Sequence, residues 1–352
     1  MKNDHKFDLG WISRYRSELF GISILSIMLF HFTADFGHAV SHGVIDIADF
    51  PIKCGLILGY LRVFGSIGVE VFVFLSGMGL YYSFTKDDRL GRFYKKRFQR
   101  ILIPYIIVGV IFWMIKDFYY KGVDPVTFLK DLTFYSLPSR GVHTLWFIGL
   151  MLGLYIVFPV IFKMLESKKY RTLNFVILLA VTYGFPVLLY FVNAEVGSNC
   201  SIATTRIPLF VIGCYMGRYI KEGRKIPWPA AVIFVAVSFM MKYTIMNFAT
   251  PPFFGRYFSG IYSLGLVVTV ITLLHLIRNW NWLNAVLRWF GKYSLEIYLT
   301  HVSLRNLMKA AGFHAYRMSQ YGIMLIIAVI LAVGLSKLTD VIEGKKRKGR
   351  MK

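Results

Sequence analysis

An all-α, polytopic bundle of about ten transmembrane helices, with both termini in the cytoplasm, is the fold that this sequence predicts. Its 352 residues are 56% apolar and only 17% charged, whereas a soluble domain covers its exterior with about 25% charged residues. The apolar residues come in runs of the length needed to cross a bilayer. The basic residues gather in alternate connections: 29 of the 41 Lys and Arg fall on one side of such a zigzag, 11 on the other, and Lys242 within a run near its outer end, where it can snorkel. Basic side chains collect on the cytoplasmic side of membrane helices. That asymmetry accounts for the net charge of +23 without any nucleic acid.

The first seventeen residues are polar, and the run at 18–35 is long enough to span, so it does not read as a removable leader. Further runs lie at 64–84, 101–116, 145–162, 173–192, 207–220, 228–246, 259–277, 286–303 and 321–338. An even number of crossings returns the chain to its starting side. The basic tail within 339–352, ending KKRKGRMK, places that side in the cytoplasm. The loop KDDRLGRFYKKRFQR, between the second and third runs, has the densest positive charge. The run at 207–220 is short, which leaves a tilted helix, a broken helix or misplaced bounds as readings. Loops 36–63 and 117–144 are long enough to fold over the outer face. With no linker and no soluble insert, residues 1–352 read as one membrane domain, and inverted repeats of the transporter kind do not stand out.

Ionisable groups inside the runs are the best pointers to function, because each costs about 2.5 kcal/mol or more in hydrocarbon. In RSELFGISILSIMLFHF, His31 stands fifteen residues beyond Arg16, about 22 Å above the cytoplasmic surface at 1.5 Å per residue. In GSIGVEVFVFLSGMGLYYSF, counting up from Phe84 puts Glu70 about 21 Å above the same surface. A base and an acid at one depth, in a core about 30 Å thick, are expected to face an internal cavity as a pair. A carboxylate beside an imidazole fixes its tautomer and raises its basicity. The bland alternative is that neighbouring backbone or hydroxyl groups satisfy each.

Weaker candidates follow. In GKYSLEIYLTHV, Ser294, Tyr298 and His301 share one helix face, either lining a site or gluing helices together. Glu296 points elsewhere and could pair with Lys292. Arg97 and Arg100, with Lys95 and Lys96, abut Pro104 at the membrane surface. Topology alone explains positive charge there, but guanidinium groups also suit the phosphates of a cytosolic donor. Gly65, Gly68, Gly77 and Gly79 read as close helix contacts. Asp35, His38 and His42 have helical metal-ligand spacing, which an interfacial loop explains as well, so no metal centre is expected. His275 beside Arg278 reads as interfacial. Cys54 and Cys200, both in outer loops, are candidates to pair, and Cys214 reads as a packing residue.

These stretches, together with FYKKRFQRILIPY and LWFIGLMLGLYIVFP, make the chain resemble the membrane acyltransferase type 3 family, which acylates sugars and glycans at the membrane. The resemblance implies that His31 is the catalytic histidine of the first helix. That family has an arginine ten intervening residues earlier; here the position holds Phe20, and Arg16, one turn before it, is the substitute. Arg97 and Arg100 match arginines before the helix-3 proline, Glu70 a frequent acidic position, and Trp146, Tyr298 and His301 recurring positions.

The function so implied is transfer of an acyl group, most simply acetyl from acetyl-CoA, to a hydroxyl of a cell-surface or exported carbohydrate. His31 serves as general base and Glu70 as its partner; Arg16, Arg97, Arg100, Trp146, Ser294, Tyr298 and His301 bind substrate. No cofactor is permanently bound. The bilayer, an acyl-CoA donor and a carbohydrate acceptor are the expected partners, in the bacterial cytoplasmic membrane. The rival reading is a proton-coupled transporter using His31 and Glu70 as a relay. Oligomeric state is left open.

Overall fold

The computed structural model describes residues 6–44, 68–248 and 252–344. Cys54, Gly65 and the last eight residues lie outside them, and with Cys54 the proposed disulfide. Strand β1 (Lys6–Asp8) pairs antiparallel with β2 (Lys225–Pro227), a small clasp that ties the N-terminal segment to a turn two hundred residues later. All other regular structure among the described residues is helical. Among the described residues seven helices are long and apolar enough to cross a membrane, and two shorter apolar helices, Gly68–Phe84 and Trp228–Thr244, join them. The all-α polytopic bundle expected from the sequence is what the chain forms.

The short α1 (Gly10–Arg14) leads into α2 (Arg16–Ser41). The α2 helix is packed by α3 (Gly68–Phe84) on one side and by α13 (Asn281–Lys292) on another. The pairing with α13 runs through glycine on both sides. A Cβ on Gly21 would strike the Leu287 carbonyl, and one on Gly291 the Ser17 carbonyl. Lipid tails are as apolar as leucine, so membrane helices associate through such close backbone approach rather than through apolar burial.

Next comes α4 (Leu90–Trp113), which contains Pro104 and runs on into a π-helical stretch, Met114–Tyr120. Two short helices, α5 (Pro125–Leu132) and α6 (Ser136–Arg140), lie in the following connection. Then α7 (Trp146–Leu165) packs inward through Ile148, Met151, Phe158 and Leu165, all 1% exposed or less. By contrast α8 (Arg171–Val192) is mostly outward apolar surface, with Leu173, Val181, Leu188 and Phe191 exposed, as a lipid-facing helix requires.

Two expected spans are broken, for physical reasons. The short run at 207–220 is α10 (Ile207–Lys221), and α9 (Ala194–Thr204) precedes it after a kink at Thr205–Arg206. Pro208 has no N–H to give the Thr204 carbonyl, and its ring would crowd that carbonyl, so the helix stops and restarts. The run expected at 286–303 divides at Tyr293. Here α13 exposes Trp282 and Trp289 while burying Leu287, the face pattern of an interfacial helix, and α14 (Ser294–Ala310) carries the chain inward. The bundle is completed by α11 (Trp228–Asn247), α12 (Pro252–Leu276) and α15 (Met318–Ile342).

Candidate active site

Three cavities lie in a row through the bundle and share walls. The first is a mouth of about 440 Å³ lined by Arg16, Gly79, Lys86, Asp87, Arg92, Lys96 and Arg97 among others. Asp87 is its one acid among the lining residues, and that carboxylate is already held by Arg89 (2.8 and 3.0 Å) and Arg92 (2.9 Å). The guanidinium hydrogen bonds, that of Arg89 first, hold the Asp87 carboxyl well below the usual carboxylate range, so it stays ionised. Five cationic side chains thus line a concave site with little negative charge to offset them.

The second cavity, about 220 Å³, adjoins the mouth at Arg16 and is mostly apolar: Phe20, Ile27, Phe72, Ile101, Phe147 and Met151 line it, with Ser76, Tyr155, Ser294 and Tyr298 as polar points. Arg16 stands at the junction. Its guanidinium fits because residue 79 is glycine, where any Cβ would strike Nη2. Its charge lies over the Phe20 ring at 5.2 Å, and its buried Nε has no partner. Phe20, where the resemblance expects arginine, is therefore the platform for the arginine one turn away. Gly79, expected to serve a helix contact, makes room for that side chain.

The third cavity, about 750 Å³, shares Ile27, Val69 and Tyr298 with the second. His31, Glu70, His143, Trp146, Arg206, Arg256, Arg305 and Asn306 are on its walls. His31 and Glu70 thus reach one cavity, as their depths predict, but they do not pair. Glu70 Oε1 is bound by Arg206 at 2.8 Å, while Oε2 is buried without a partner. Arg206 lies over the Trp146 ring at 5.0 Å. The expected Glu70–His31 contact gives way because the carboxylate is taken by a guanidinium, a permanent cation that pairs with carboxylates more strongly than an imidazole does. Trp146 opens α7 directly after Leu145, whose φ of 59° is left-handed. A non-glycine residue holds that conformation at a cost of about 1–3 kcal/mol, a strain that fixes the cavity wall.

The remaining sequence candidates divide clearly. Ser294 and Tyr298 line cavity walls as expected. His301 does not: it is fully buried behind His31, ring centroids 5.1 Å apart, with Nε2 2.9 Å from the Tyr321 hydroxyl. Its expected contact with substrate is corrected by that burial. Arg97 lines the mouth, but Arg100 lines the second cavity and is clasped by Glu296 at 2.5 and 3.3 Å. Glu296 therefore pairs with Arg100 across the bundle, not with Lys292 on its own helix. A surface partner leaves water-exposed charge exposed, whereas this carboxylate is at 0% exposure and needs a cation inside.

Asp35 is taken by Arg305 (2.5 and 2.7 Å) and Lys309 (2.9 Å), while His38 and His42 stack on each other. His275 stacks on Trp11. Cys214 is buried against Gly77, as a packing residue. Arg206, Arg256 and Tyr321 were not singled out in the sequence. The signal for Arg206 was present, a cation two residues before a proline in an apolar region, the mark of a discontinuous helix lining a cavity.

Comparison with known proteins agrees with this architecture. The family model described as "Acyltransferase domain", of acyltransferase type 3, matches residues 21–337. Acyltransferase MdmB of Streptomyces mycarofaciens is 24% identical over 282 residues, covering 71% of this chain and 70% of that protein. No solved structure matches. The match runs from the first long helix to the last, and this chain belongs to the acyltransferase type 3 family, as a membrane acyltransferase.

Proposed function

We propose that this chain is an O-acyltransferase of the bacterial cytoplasmic membrane, moving acetyl from acetyl-CoA to a hydroxyl of a cell-surface or exported carbohydrate. The observation that carries the reading is the row of three adjoining cavities, from a mouth of five cations to the wall bearing His31. The mouth faces the cytoplasm and takes the phosphates of the donor on Arg97, Lys96 and Arg16. Phosphate pairs with arginine through short charge-assisted hydrogen bonds. The narrower apolar cavity takes the pantetheine arm and brings the thioester toward Tyr298. The acceptor enters the larger cavity from the other side, where Glu70 Oε2 offers an unused acceptor for a sugar hydroxyl.

The reaction then needs one proton carried twice. The acceptor hydroxyl attacks the thioester carbonyl as His31 takes its proton. The tetrahedral intermediate collapses, the C–S bond breaks, and His31 returns the proton to the departing thiolate. A placed base contributes about 10²–10⁴-fold; the rest comes from holding two substrates end to end in one conduit.

Mass spectrometry of surface glycans from cells with and without this protein tests the assignment. The expected result is a loss of acetyl mass from one glycan. Identical spectra, from cells shown to express the protein, would refute it. A second expectation concerns the donor. Arg97→Ala, measured by coenzyme A binding to purified protein, is expected to weaken affinity about 10-fold or more, since hydrogen bonds to charged groups are worth about 1.5–3 kcal/mol. Unchanged affinity would remove the mouth from the donor path.

A further inference from the structure

We propose that His301, locked in one tautomer by Tyr321, is the positioning residue of His31: it accepts the His31 Nδ1–H and leaves Nε2 as the basic nitrogen turned toward the cavity. The inference rests on the reading of His31 as general base. It replaces the role that the sequence gave to Glu70.

The tautomer follows from counting protons. The Tyr321 hydroxyl donates to the Met28 carbonyl at 2.5 Å. A phenol has one proton, so toward His301 it can only accept. His301 Nε2, 2.9 Å away, must therefore carry the N–H. A neutral imidazole has a single N–H, which makes His301 Nδ1 a bare lone pair. That nitrogen is buried and has no partner.

Beside it stands a second nitrogen in the same condition. His31 Nδ1 is also buried without a partner, and the two rings are tilted by 32° with centroids 5.1 Å apart. At that separation, two ring nitrogens turned toward each other lie about 3 Å apart, within hydrogen-bond range. A buried nitrogen left without a partner destabilises the fold. One N–H···N bond satisfies both. His31 has room to make it, being only half-buried and on the wall of the 750 Å³ cavity. His301, fully buried, does not turn.

The frame around the pair is fixed from three helices. Met28 lies one turn before His31, so the Tyr321 bond sets the rotation of α2 at the base. Thr300, next to His301, binds the Ala328 carbonyl of α15 at 2.8 Å. Such supporting partners fix the tautomer and ring orientation of a working histidine and raise its basicity.

Two amide substitutions separate positioning from packing. In His301→Asn the side-chain carbonyl can stand where Nδ1 was and still accept from His31. In His301→Gln the amide reaches the Nε2 position, keeps the bond to Tyr321, and offers His31 nothing. Full-length protein is read in two ways: acyl incorporation into surface glycan, and the rate at which diethyl pyrocarbonate modifies His31, mapped by peptide mass spectrometry. We expect His301→Gln to lower both about 10–100-fold, Tyr321→Phe to lower both, and His301→Asn to stay near the parent. Gln retained with Asn lost, both lost alike, or both equal to the parent would overturn the proposal, as would a Tyr321→Phe protein that matches the parent. The modification rate needs no acceptor. It therefore still reports on His31 positioning if acyl transfer proves independent of His31, and the two failures stay distinct.

Discussion

His31→Ala is expected to lower acyl transfer by about 10²–10⁴-fold, the contribution of a positioned general base, while the protein reaches the membrane at parental levels. The substitution removes a half-buried side chain from the wall of a cavity and breaks no ion pair; the one buried group it leaves without a partner is the neutral His301 Nδ1. Stability therefore falls by no more than the cost of that one neutral nitrogen, and the loss is one of chemistry. Acyl incorporation per unit of membrane-extracted protein is the measurement. A variant that keeps parental transfer would move the base elsewhere, and His143, on the same wall, would be the next group to test.

Arg100→Leu is expected to destabilise the bundle by about 3–5 kcal/mol, read as a fall in the thermal unfolding midpoint of the purified protein. The reason is asymmetry: Glu296 is wholly buried and would be left as a charge with no cation. The double variant Arg100→Leu/Glu296→Leu removes both charges and is expected to recover most of the loss, because replacing a whole buried pair is often neutral. The same double variant decides what Arg100 does. If the ion pair is structural, coenzyme A affinity in the double variant stays within a few-fold of the parent, while Arg97→Ala loses it. A single variant as stable as the parent would show that Arg100 does not hold Glu296 in place.

Much of this protein was legible before any coordinates. The lengths of the apolar runs set the helices, because a bilayer imposes both their length and their internal hydrogen bonding. Counting residues at 1.5 Å each put His31 and Glu70 at one depth, and both line one cavity. The run at 207–220 is too short for a straight crossing, and the chain there is divided into two helices. Helix phase put Ser294 and Tyr298 on one face, and both reach cavity walls. It put His301 on that face too. A face says which side of the helix a residue shares but not whether a cavity or a second helix lies opposite, and for His301 the neighbour is Tyr321.

Residue types and spacings along one chain thus determined the class of fold, the depth of the polar groups and the family. Partner choice was decided only in three dimensions. Glu70 takes Arg206, 136 positions away in the sequence. Glu296 takes Arg100 and His301 takes Tyr321, each from another helix. Local periodicity fixes how far along a helix a side chain lies, since rise and rotation per residue are constants of the backbone. Which cation or hydroxyl meets it depends on how whole helices rotate against each other. In this bundle that is set by remote close contacts, such as Gly21 against Leu287 and Gly291 against Ser17, which no spacing within a single helix encodes.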